Sequence, residues 1–258
     1  MILSKSYGVT GALGVNVPTG DGSGLWSALY YEIVASLDYD AIGLMFMMAG
    51  QNSDHKAMRI YAGAAGAEQL IAEVAAPNSV YDAMQMLVPL KVPSGTRISV
   101  KTMSNNYQDK CYISCTPIYG ASHELPQVGY GRMYGLGAND FTLVDPGAVA
   151  GTKGAWVELA ASSTYGAKGL TLFVGSYVGG ATAGNFMIDI AVGSAAAEQI
   201  IVADLPTRVT AYENNSVCVE HGPFWVPIPA GSRIAVRAAC THATANDRNL
   251  YAVITLWE

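Results

Sequence analysis

Hydrophobic residues in this chain come in short alternating bursts, and Gly, Pro, Asn or Asp separates one burst from the next. In residues 186–193 (FMIDIAVG), Phe186, Ile188 and Ile190 fall on one face of an extended chain, and Met187 and Asp189 on the other. In residues 233–238 (RIAVRA), Ile234 and Val236 are expected to face inward, and Arg233, Ala235 and Arg237 outward. This patterning predicts strands at 29–37, 42–48, 57–63, 70–74, 84–90, 97–103 and 111–119. A second set is predicted at 156–161, 169–177, 186–193, 199–205, 216–222, 224–229, 233–240 and 250–257. Seven or eight strands at this spacing predict a sandwich of two packed antiparallel sheets, with little helix. Residues 64–74 have a helix-like composition but are read as a turn followed by a strand.

The rhythm occurs twice. Residues 63–74 (GAAGAEQLIAEV) match 193–205 (GSAAAEQIIVADL), 92–101 (VPSGTRISVK) match 228–237 (IPAGSRIAVR), and 39–46 match 165–173. Trp26 and Trp156 open the two copies behind glycine-rich turns. Matched blocks in the same order indicate internal duplication. The expected fold is all-β, two tandem antiparallel jelly-roll-like β-sandwich domains at 1–128 and 129–258. Each has a leading arm, because residues 7–24 resemble residues 134–154. The Pro-x-Gly turns at Pro93 and Pro229 are expected to join one sheet to the other. Proline presets the first central φ and glycine takes the positive φ that follows. The small-residue turns before Glu68 and Glu198 are expected to make the opposite connection.

A net charge of −6 with dispersed basic residues argues against nucleic acid, and the low charged fraction of 13% suits surfaces buried against neighbours. No run reaches the roughly 18 apolar residues that cross a bilayer. The first residues lack a signal-peptide pattern, so folding in the cytosol is expected. Cys111 and Cys115, four apart on a strand, lie about 13 Å apart, beyond disulfide reach, and are expected to be buried thiols. Cys218 and Cys240 could pair if their strands adjoin.

Chemistry-bearing motifs are sparse. His55, His123, His221 and His242 show no metal-ligand spacing, so neither metal nor cofactor is expected. His55 and His242 read as loop histidines. Glu68 and Glu198, matched between copies, are expected to accept backbone N–H bonds in their turns. Gly-x-Ser-x-Gly and phosphate-cradling patterns are absent, and no catalytic residue is assigned. Exposed aromatics remain as contacts for a glycan or a protein partner: Tyr107, Tyr212 and Trp225, with Tyr30, Tyr31 and Phe224 as further members of a platform.

Residues 146–159, 165–170, 189–205 and 228–237 resemble a motif set of tailed-bacteriophage virion proteins. The resemblance covers nearly the whole second copy and, more loosely, the first. It implies jelly-roll-like modules used as capsid decoration or cement, or as tail components, and it carries no catalytic residue. The implied protein is a non-enzymatic virion component assembled in host cytoplasm. Its partners would be itself, other virion proteins and, in the tail reading, a host surface glycan. A homo-oligomer such as a trimer is expected, with no membrane insertion.

Overall fold

The computed structural model describes residues 6–8, 14–20, 24–50, 54–79, 83–104, 110–120, 128–137, 141–176, 184–209, 218–242 and 249–258. Within them every regular element is a strand.

The first half contributes β1 (Val15–Pro18), β2 (Tyr31–Val34), β3 (Gly43–Gly50), β4 (Asp54–Ala62), β5 (Gln69–Ser79), β6 (Ala83–Val88), β7 (Ile98–Ser104) and β8 (Lys110–Ile118). The strands β1-β8-β3-β6 form one sheet, and β5-β4-β7-β2 form a second, run on into a longer sheet. That order, with successive strands switching layers except at the β4–β5 hairpin, is the jelly-roll connection.

The second half repeats it. After β9 (Gly131–Tyr134) come β10 (Thr142–Val144), β11 (Val157–Ala160), β12 (Gly169–Ser176), β13 (Gly184–Val192), β14 (Gln199–Val209), β15 (Val219–Phe224), β16 (Ile234–Cys240) and β17 (Leu250–Trp257). Here β10, β17, β12 and β15 make one layer, and β11-β16-β13-β14 the other. Registers agree strand for strand: Phe46 lies opposite Cys115 as Leu172 lies opposite Ile254, and Ile60 opposite Ala72 as Ile190 lies opposite Val202.

The matched turns explain why the duplication is legible. Gly95 and Gly231 have φ of 77° and 80°, a conformation glycine adopts without strain. Their N–H groups donate to Leu37 and Ser163 carbonyls, both at 2.8 Å, which clamps each turn onto the loop before β3 or β12. These turns do carry the chain between layers. Their hydrogen bonds run from Thr96 and Ser232 N–H to the Pro93 and Pro229 carbonyls, so proline precedes the two central residues rather than occupying the first. The turns before Glu68 and Glu198 differ from expectation. They close the hairpins β4–β5 and β13–β14 within one sheet, where Ala62 pairs with Gln69 and Val192 with Gln199 across six-residue loops.

Three short strands, β1, β9 and β10, escape the sequence pattern, and the strand expected at 224–229 reduces to the end of β15 and a single bridge from Ile228 to Ala167. Two arms lie along the last strand of their own jelly roll, Tyr7 opposite Cys115 and Tyr134 opposite Ile254. The second arm does more. Its strand β9 also pairs parallel with β5 at Ala72 and Gly131, which fuses the two halves into a nine-stranded sheet.

Two cores result. One lies inside the second jelly roll around Leu172, Ile188, Ile190, Val236, Ile254 and Leu256. The other fills the first jelly roll and extends to Phe173, Cys218, Tyr251, Val253 and Trp257 of the second half. Strands β12 and β17 are therefore buried on both faces, one facing each core.

Candidate interaction surfaces

The acids matched between copies serve structure. In each copy one arginine bridges two glutamates, one from the strand β2 or β11 and one from the turn before β5 or β14. Arg97 Nε donates to Glu32 at 2.7 Å and its Nη1 to Glu68 at 3.0 Å. Arg233 repeats this with Glu158 at 2.7 Å and Glu198 at 3.0 Å. Glu68 also accepts the Gly66 N–H at 2.8 Å, as its turn position predicts. Burial alone would raise the Glu68 carboxyl, but backbone N–H groups and Arg97 outweigh it and hold it below the usual range. At Glu198 the group's own backbone N–H leads, opposed by burial and reinforced by Arg233, with the same net direction. Glu32 and Glu158 were overlooked in the sequence, though both sit one residue into the strand that follows the matched tryptophan loop.

A second polar cluster breaks the repeat. Asp189, 3% exposed, accepts from Lys153 at 2.6 Å, Arg237 at 2.9 Å and the Asp204 N–H at 2.9 Å. Burial opposes ionisation there, but these donors prevail and its carboxyl is held low. Arg237 also lies over the Trp156 ring at 4.4 Å, as Arg59 lies over Trp26 at 4.1 Å. Asp189→Asn should cost about 1.5–3 kcal/mol, because two cations lose a charged acceptor in a covered site. Urea unfolding at neutral pH checks it, and a loss below ~0.5 kcal/mol would mean the cluster is solvated.

The two halves also share a buried contact. The outer face of β12 and β17 presents Phe173, Tyr251, Val253 and Trp257, at most 3% exposed, to the β5–β6 edge of the first jelly roll. Thr255 Oγ1 donates to the Glu73 carbonyl at 2.8 Å, and the Trp257 indole N–H donates to Thr171 at 2.9 Å. Glu220 of β15 accepts the Leu87 N–H of β6 at 3.2 and 3.3 Å. Burial pushes the Glu220 carboxyl up to about 7, with the Leu87 bond pulling the other way. His221, its neighbour, is lowered by burial, and its Nε2 has no hydrogen-bond partner among the described residues.

The described members of the aromatic platform fall at two separate places. Tyr107 and Tyr212 lie outside the described residues. Trp225 is half-buried against the first core, just beyond β15 at one end of the nine-stranded sheet. Tyr30 and Tyr31 lie at β2, the opposite end, where Tyr30 meets the Tyr61 ring edge-on at 4.9 Å. These groups cannot share one ligand. His55 stands in β4 rather than a loop, His242 is exposed after β16, and His123 falls outside the described residues. All four cysteines are buried and outside any disulfide. Cys218 belongs to the first core and Cys240 to the second, so they do not adjoin. Among the described residues no cluster of His, Cys, Asp or Glu could hold a metal ion, and no helix is long and apolar enough to cross a membrane.

Two grooves recur at equivalent places between the paired turns. The first, about 370 Å³, is lined by Gln69, Ile71, Val92 and Pro93 and is flanked by Gly129 of the second arm. The other, about 690 Å³, is lined by Gln199, Ile201, Pro229 and Arg233.

No protein-family model matches the chain, and no curated protein does. Solved structures with low similarity include the Sulfolobus Turreted Icosahedral Virus structure, 10% identical over 99% of this chain and 91% of that one, at a TM-score of 0.36. The tandem CBM22 domains of Paenibacillus barcinonensis Xyn10C are 10% identical over 99% and 91%, at 0.28. Infectious bursal disease virus VP2 is 10% identical over 100% and 72%, at 0.22.

Proposed function

We propose that this chain is a non-enzymatic virion structural protein, a tandem jelly-roll building block that stabilises a capsid from its exterior. The observation that carries the reading is the outer face of β12 and β17. A freestanding sandwich leaves such a face polar, whereas this one carries Phe173, Tyr251, Val253 and Trp257 and packs against another jelly roll. The acids matched between copies are engaged in fixing strands and turns, which suits a scaffold better than a reaction centre. The resemblance to tailed-bacteriophage virion modules in residues 146–237 supports the same reading. On it, the protein assembles in host cytoplasm with itself and with other virion proteins.

Particles lacking this protein should release DNA sooner than complete particles under heat or low-salt stress. Unchanged particle stability together with lost adsorption to cells would move the protein to the tail. In that case a glycan array, with binding abolished by Trp225→Ala, becomes the appropriate assay.

A further inference from the structure

One interface inside this chain has two halves, and the duplication supplies each half a second time. The halves that meet are the β5–β6 edge of the first jelly roll and the outer face of β12-β17 in the second. Their counterparts by register are the β14–β15 edge of the second jelly roll and the outer face of β3-β8 in the first.

Exposure separates the used pair from the unused one. On the used edge Ala72, Val74 and Ala75 are 0% exposed and Glu73 is 8% exposed. On the counterpart edge Val202 and Leu205 are partly exposed, and Ala203 and Pro206 are exposed. Strand β14 ends its sheet, and β15 ends the nine-stranded one. On the used face Phe173 and Trp257 are 0% exposed and Tyr251 is 3% exposed. Their counterparts Met47, Ile118 and Tyr112 are apolar too, yet all three remain partly exposed. Such residues contribute nothing to the first core, which takes Leu44, Phe46, Met48, Ile113 and Cys115 from the other face of the same strands.

We propose that the outer face of β3-β8 in one copy docks on the β14–β15 edge of a second copy, repeating between chains the contact that joins the halves within a chain. Pro206 and the bulge at Asp204, whose φ is 50°, keep the far part of β14 from extending a sheet. The contact is therefore side-chain packing. Because face and edge are different surfaces, the association is head-to-tail, and it closes into a ring or grows as a filament. The inference rests on the repeat inside this chain and does not depend on where the assembly is used.

The test uses the full-length protein and two charge insertions at positions outside both cores, Met47→Arg on the face and Ala203→Arg on the edge. Sedimentation across a concentration series should show wild-type masses at multiples of one chain. Each variant alone should weaken association at least tenfold while its thermal midpoint stays at the wild-type value. Mixing the two should restore a dimer and nothing larger, because each variant keeps the surface the other has lost. A wild type that stays monomeric at every concentration would overturn the proposal, as would association indifferent to both changes. A mixture that fails to dimerise would also overturn it, since the contact would then be self-complementary rather than head-to-tail.

Discussion

Trp257→Ala is expected to destabilise the protein by about 3–5 kcal/mol, the range for deleting a fully buried large aromatic side chain. Trp257 belongs to the last strand of the second jelly roll, yet its ring lies in the core of the first and is 0% exposed. Its indole N–H donates to Thr171, and a Cβ added at Gly131 would collide with the ring. The ring therefore sits where β17, β12 and the arm strand β9 converge. Removing it should loosen both jelly rolls at once. Urea unfolding measures the loss, and hydrogen exchange should quicken in β5 as well as in β17. A loss below ~1 kcal/mol, or exchange confined to the second half, would mean that the halves fold without each other.

The second large effect is one of pH. Glu220 is buried between the halves, and burial raises its carboxyl to about 7 from an ordinary 4.5. A raised acid binds its proton more tightly when folded, so its contribution is full below about 4.5 and is lost as pH rises through about 7. With each pKa unit worth about 1.4 kcal/mol, up to ~3 kcal/mol is at stake across that window. Glu220→Gln removes the titration and leaves an acceptor for the Leu87 N–H. The variant should match wild type near pH 5 and be more stable than it near pH 8. Glu68, Glu198 and Asp189 are held low and act in the opposite sense, losing their contribution as pH falls. Thermal midpoints at the two pH values decide. Equal midpoints for variant and wild type near pH 8 would place Glu220 in water.

The repeat was legible because turn chemistry is local. Gly95 and Gly231 are required by the same φ, and Arg97 and Arg233 follow them to reach the same pair of acids. What joins the halves was harder to read. The pairing of β9 with β5 is a single parallel bridge between residues 59 apart in sequence, set by packing rather than by any local signal. The run 250–257 (LYAVITLW) did hold a clue, since it lacks the polar alternation of a strand with one wet face. The aromatic residues could not be grouped from the sequence, because periodicity places a residue on a face of its strand without saying which strands share a sheet. Only the strand order puts Tyr30 and Trp225 at opposite ends.

Cryo-electron microscopy of intact particles from cells that express this gene tests the central claim most directly. The account predicts tandem jelly-roll density repeated over the outside of the shell, with neighbouring copies in contact. Purified particles that contain none of this protein would contradict it.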